Sequence, residues 1–168
     1  MPPLHPAKLA IDTLLADCEV RRTRGSGPGG QHRNKVETAI VITHRPTGVR
    51  GEATERRSQE QNRQQAIHRL RIHLALQVRS EEAAETPSSL WQSRRQGERM
   101  NVSATHQDFP ALLAESLDVL SRQQQQVPPA AAWLGVSSSQ LIRLLKQEPH
   151  ALKQVNEERF RLGLHALK

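Results

Sequence analysis

Residues Gly25-Ser26-Gly27-Pro28-Gly29-Gly30 put four glycines and one proline in six positions, and neither a helix nor a strand interior can run through them. The chain on either side has to be organised around that break. A basic extended stretch, Val20-Arg21-Arg22-Thr23-Arg24, runs in, and a polar, basic one, Gln31-His32-Arg33-Asn34-Lys35, runs out. A tip with so few side chains lets main-chain N–H groups come close to a ligand. The cations beside it suit a polyanion.

The charge distribution points the same way. The 24 Lys and Arg against 17 Asp and Glu give a net charge of +7. Residues 1–80 hold 14 of the bases and 7 of the acids, and residues 81–168 hold 10 of each. A polyanion-binding face is therefore expected in the half that carries the glycine loop. Cys18 is the single cysteine, so no intrachain disulfide can form and a reducing compartment, the cytoplasm, is expected. No apolar run reaches membrane-spanning length, and the first residues read as neither a signal peptide nor a transit peptide.

In chain order the pattern predicts a short helix over 7–16 and a strand over 18–24. After the loop come a β-branched strand over 38–44, a turn at Arg45-Pro46-Thr47-Gly48 and a returning strand over 49–54. Ser58 with Gln61 forms a capping box for a helix from Gln59 to about Glu85, with Ile67, Leu70, Leu74 and Val78 on its buried side. The expectation is an α+β domain over 1–86, a small antiparallel sheet with a long packed helix. A linker over 87–109 and a small all-α domain over 110–168 follow. In the latter, Leu112, Leu113, Leu117 and Leu120 mark an amphipathic helix.

The spacing Gly25-x-Gly27-x-x-Gly30 satisfies a dinucleotide-binding fingerprint, but that fingerprint needs an apolar strand before it and a helix after it. Here arginines precede and a hairpin follows. A P-loop is excluded because no Gly-Lys-Ser/Thr is present. The segment Arg24-Gly25-Ser26-Gly27-Pro28-Gly29-Gly30-Gln31-His32-Arg33-Asn34-Lys35 resembles the Gly-Gly-Gln loop of class I peptide-chain release factors. The resemblance continues through Thr43-His44-Arg45-Pro46-Thr47-Gly48 and Glu55-Arg56-Arg57-Ser58-Gln59-Glu60-Gln61-Asn62-Arg63, covering residues 17–80.

What the resemblance implies is hydrolysis of the peptidyl-tRNA ester in the ribosomal peptidyl-transferase centre, with Gly29, Gly30 and Gln31 as the catalytic loop. The Gln31 backbone N–H would face the charge that develops on the ester oxygen, and its side chain would shape the pocket for water. Arg21, Arg22, Arg24, Arg33, Lys35, Arg56, Arg57 and Arg63 would contact ribosomal and transfer RNA, although each could also be part of a solvated basic face. Ser58 and Asn62 fit the family pattern, and helix capping and packing account for them equally well. The expected partners are the ribosome, through its large-subunit RNA, and peptidyl-tRNA, with the protein a monomer and no membrane or cofactor involved. No metal site is expected, because His68 and His73 lie five apart without a Cys or carboxylate cluster. Cys18 reads as a small buried thiol.

The stop-codon-reading and long helical domains of full release factors are not expected in this chain, which on that expectation resembles the short, codon-independent members that rescue stalled ribosomes. It departs from them in having a neutral second half where they carry a basic tail. Within that half, Ala130-Ala131-Ala132-Trp133-Leu134-Gly135-Val136-Ser137 and the following Ser138–Leu145 resemble a helix-turn-helix core. Its reading face would be Ser138, Ser139, Gln140, Arg143 and Lys146, with Trp133, Leu141, Leu144 and Leu145 in the core; a helical packing motif is the other reading. The competing function is a nonenzymatic RNA- or DNA-binding protein that recognises nucleic acid through this helical domain.

Overall fold

The computed structural model describes residues 3–24, 37–81 and 84–168, and two compact units divide the chain: residues 9–78, and residues 3–8 together with 79–168. In the first, α1 (Ile11–Ala16) leads into an antiparallel sheet ordered β1 (Cys18–Thr23), β2 (Ala39–His44), β3 (Arg50–Ala53). Ile40 and Ile42 of the central strand are buried, whereas Val41 and Thr43 between them are half-buried, as expected where one face of a sheet carries the core. Helix α2 (Gln59–Gln77) covers that face with Ala66, Ile67, Leu70 and Leu74. Gly51 lies opposite Ile42, and a Cβ there would sit 2.4 Å from the Ala66 carbonyl oxygen and the Leu70 amide nitrogen. The helix thus rests directly on strand backbone. β3 is an edge strand, and its Glu52 and Arg50 carbonyls accept from Arg69 (2.9 Å) and His73 Nδ1 (2.6 Å) of α2, so the helix also blunts the edge.

Two boundaries differ from expectation. The first helix begins at Ile11; residues Pro6–Lys8 form a separate 3-10 turn whose Ala7 is fully buried in the other unit. The long helix stops at Gln77 and does not reach Glu85. Beyond it the Ser80 N–H donates to Asp118 Oδ1 at 3.1 Å, and Arg79 lies 3.9 Å from the same oxygen. Good helix formers continue past Val78, but these tertiary partners outweigh a propensity of a few tenths of a kcal/mol per residue.

The second unit contains α3 (Ser89–Arg94), a hairpin of β4 (Arg95–Gln96) and β5 (Arg99–Met100), α4 (Phe109–Arg122), α5 (Val127–Leu134), α6 (Ser138–Lys146) and α7 (Pro149–Arg161). The stretch 87–109, read as a linker, is therefore structured. Ser88 caps α3, Trp91 is fully buried with its indole N–H 2.8 Å from the Leu134 carbonyl, and Arg94 binds Asp108 at 2.6 Å. A single tryptophan among polar residues has no periodicity to reveal it; its partner is 43 residues away.

The amphipathic helix expected forms as α4, but every residue from Phe109 to Leu120 is buried, its polar side included. Its acids do not face water. Glu115 accepts from the Ser88 N–H (2.7 Å) and hydroxyl (2.5 Å), with Lys8 4.0 Å away, and Asp118 receives Ser80 and Arg79. These carboxylates fasten incoming chain segments to the core. The α5–α6 turn follows its sequence signals: Gly135 is left-handed (φ +69°), and Ser137 accepts from the Gln140 N–H. Leu141, Leu144 and Leu145 are buried, whereas Trp133 is half-buried with the Arg122 guanidinium 5.3 Å from its ring centre.

Candidate active site

Gly29, Gly30, Gln31, Arg33 and Lys35 lie outside the described residues. Both ends of the connection that holds them are described. Thr23 pairs with Ala39, so the chain leaves β1 and re-enters β2 at the same end of the sheet. Ala53 pairs with Ile40, which brings the end of β3 to that end as well.

The start of α2 grips the returning arm of the loop. Asn62 is completely buried; its side-chain amide donates to the Thr38 carbonyl at 2.8 Å and the Arg56 carbonyl at 2.9 Å, and its oxygen accepts from the Arg56 N–H at 3.0 Å. Gln59 donates to the Glu37 carbonyl at 2.9 Å. Asn62 thus ties the loop's exit to the segment carrying Arg56 and Arg57, a role sequence could not separate from capping or packing because its partners lie 6 and 24 residues away. Glu55 braces the same segment through Arg69 at 2.5 Å, and this guanidinium lowers the Glu55 pKa to about 2.

Arg22 and Arg24 are exposed at this end, beside the equally exposed Arg56 and Arg57. Arg63, one residue after Asn62, is half-buried. Arg21 lies one register position further along β1 and is exposed, but its guanidinium bonds Glu19 at 3.0 Å. The structure thus gathers five of the predicted cations around the loop ends and shows the sixth already paired. Such a collar can hold several phosphates at once.

Cys18 and His44 are register partners at the opposite end of the sheet, a pairing that invites comparison with a Cys–His nucleophile. The chemistry runs the other way. Cys18 donates to the Leu14 carbonyl, and burial, followed by the nearby Asp17 charge, raises its pKa. Burial lowers that of His44, whose Nδ1 bonds the Thr47 hydroxyl at 2.7 Å. Both groups are held neutral, which favours neither a thiolate nor an imidazolium. Among the described residues no three His, Cys, Asp or Glu side chains gather as a metal site.

The RF-1 domain family model matches residues 7–109, which include the whole sheet unit, the glycine loop and the chain as far as the start of α4. The chain belongs to this family of class I release factors. Peptide chain release factor 1 of Xylella fastidiosa is 48% identical over 80 residues, 48% of this chain and 20% of that protein. The Nitrosomonas europaea protein of the same name is 46% identical over 103 residues, 59% of this chain and 26% of its own. Chloroplastic peptide chain release factor PrfB1 of Arabidopsis thaliana is 42% identical over 85 residues, 51% and 19%. The chain spans about a fifth to a quarter of the length of these curated relatives. Residues 110–168, holding most of the helical unit, lie beyond the family match. No helix among the described residues is long and apolar enough to cross a membrane.

Proposed function

We propose that this protein hydrolyses the peptidyl-tRNA ester on the ribosome without reading a stop codon, releasing nascent chains from stalled complexes in the cytoplasm. The observation that carries this reading is the RF-1 domain match across Gly29-Gly30-Gln31, with the loop's two ends held together and ringed by arginines. Water attacking the ester builds negative charge on the carbonyl oxygen. The Gln31 backbone N–H donates to that charge, a contribution of ~10²–10³ in rate for one such donor. Gly29 and Gly30 keep the approach to the tRNA end free of side chains. Arg22, Arg24, Arg33, Lys35, Arg56, Arg57 and Arg63 contact ribosomal and transfer RNA, with Arg21 contributing after it leaves Glu19. The ribosome supplies the rest of the active site.

Peptide release from purified ribosome complexes tests the proposal. Three substrates are compared: an empty A-site on truncated messenger, a stop codon in the A-site, and free peptidyl-tRNA. Loop-dependent release on truncated messenger without preference for the stop codon is the expected result. Release only at a stop codon would overturn codon independence, and release of free peptidyl-tRNA would overturn the need for the ribosome.

A further inference from the structure

Residues 81–168 are neutral by residue count, yet their charges are not equally available. Residues 79–168 contain eight arginines. Six have structural partners: Arg79 and Arg94 bind Asp118 and Asp108, Arg95 the Gly135 carbonyl, Arg122 the Trp133 ring, Arg159 the Gln125 carbonyl and Arg161 the Glu158 carboxylate. Arg99 and Arg143 bond no described residue through their guanidinium groups, and both are exposed. They line the same groove, about 620 Å³, between β5 and α6, and no Asp or Glu is among its lining residues. The acids that balance the count include Glu115 and Asp118, which are buried in the core. Charge placement therefore leaves a cationic groove within a stretch whose residue count is neutral.

The groove is built on fixed elements. Gln140 Oε1 accepts from the Met100 N–H and Gln147 Nε2 donates to the Val102 carbonyl, each at 3.2 Å, so two amides pin the hairpin to α6. Gln96 and Asn101 line the same space, and their side-chain amides bond no described residue. Ser139, Arg143 and Lys146 continue the surface along the exposed side of α6, which carries no acid from Ser138 to Lys146.

We propose that this groove binds the sugar–phosphate backbone of RNA. Arg99 and Arg143 take phosphates, while Gln96 and Asn101 face the adjacent 2′-hydroxyls, which offer both a donor and an acceptor. Gln140, a member of the expected reading face, has its side-chain oxygen engaged by the Met100 N–H, and the two arginines suit phosphates, so the proposed contacts are to backbone. The choice of RNA over DNA rests on the ribosomal reading above; the groove's cationic character does not.

The test uses the full chain and fluorescence anisotropy with a labelled RNA duplex of about 20 base pairs and the DNA duplex of matching sequence, between about 50 and 200 mM salt. Arg99→Ala/Arg143→Ala is expected to weaken RNA binding at least about tenfold at the lower salt and to reduce the salt slope by roughly two, one per lost phosphate contact. Arg99→Lys/Arg143→Lys restores much of the slope, and Lys153→Ala/Arg161→Ala, outside the groove, changes it least. Circular dichroism of each variant matching wild type excludes unfolding as the cause. Unchanged RNA affinity and slope in the alanine pair would overturn the site, and equal binding of the DNA duplex would overturn its assignment to RNA. Release assays on the same proteins keep the two proposals apart: groove-dependent RNA binding without any release activity retains the groove and removes the hydrolase.

Discussion

The two units handle charge in opposite ways. The sheet unit keeps Arg22, Arg24, Arg56 and Arg57 in solvent at the end where the glycine loop leaves and returns, and its core of Ile40, Ile42, Leu70 and Leu74 is apolar. The helical unit brings charge inside, placing Glu115 and Asp118 on a helix whose first twelve residues are all buried. Counting residues describes the loop end of the first unit well, because the cations there are in solvent, although Arg71 of α2 is buried. It misdescribes the second, where Glu115 and Asp118 are buried beside Lys8 and Arg79 while no acid lines the groove that holds Arg99 and Arg143. A net charge predicts a surface only when the charges are on that surface.

The largest expected effect concerns what holds the helical unit together. Trp91→Ala removes a fully buried indole and leaves the Leu134 carbonyl without its donor, and should lower stability by about 3–5 kcal/mol. Urea unfolding followed by hydrogen exchange in α3 and α5 reads this directly. A loss below about 1 kcal/mol would mean that 87–109 behaves as the linker its composition suggests.

The sheet unit is tested at its loop. Gln31→Pro deletes the backbone N–H and should reduce release ~10²–10³-fold, whereas Gln31→Ala keeps the donor and should be milder. Single-turnover release rates that are equal for the two would remove the backbone-donor mechanism. Next in size is Asn62→Ala. It strips partners from the Thr38 and Arg56 carbonyls and the Arg56 N–H, and should cost about 1–3 kcal/mol. Faster amide exchange in the first turn of α2 would accompany the loss. An unchanged urea midpoint would show that Asn62 only fills space.

The smallest effect sharpens the contrast most, because acid should move the two units in opposite directions. The Arg69 guanidinium depresses the folded pKa of Glu55 from 4.5 to about 2, so its contribution is complete above the unfolded value and is lost as pH falls through that window. The pair is partly exposed, which keeps the loss below about 1 kcal/mol. Asp118 is shifted the other way, chiefly by burial, with the Ser80 N–H, Arg79, Lys8 and Arg122 opposing. With a folded pKa above 3.8, it takes up a proton more readily in the folded state, so this group favours folding as pH falls through that raised value. Hydrogen exchange at stepwise lower pH should show α2 losing protection in wild type but not in Glu55→Gln, and α4 losing more in Asp118→Asn than in wild type. Identical profiles for each variant and wild type would refute these assignments.

What the sequence determined by itself follows from local chemistry. The glycine–proline run had to be a connection, the β-branched stretch around Ile40 and Val41 a strand, and Arg45-Pro46-Thr47-Gly48 a turn, with Gly48 adopting the left-handed φ of +72° that glycine tolerates. Ser58, Gly135 and Ser137 ended or began helices where their side chains, or the lack of one, satisfied neighbouring backbone. Three ordered motif blocks pointed to the family that the match over 7–109 shows.

Tertiary structure decided whatever depended on distant partners. Asn62 reaches Thr38, Trp91 reaches Leu134, and Asp118 draws Ser80 from the end of a helix that propensity would have prolonged. It also decided which arginines are engaged and which two share an open groove. A residue carries its own conformational preference, but burial and partnership belong to pairs of residues, and the pairs that matter here are tens of positions apart.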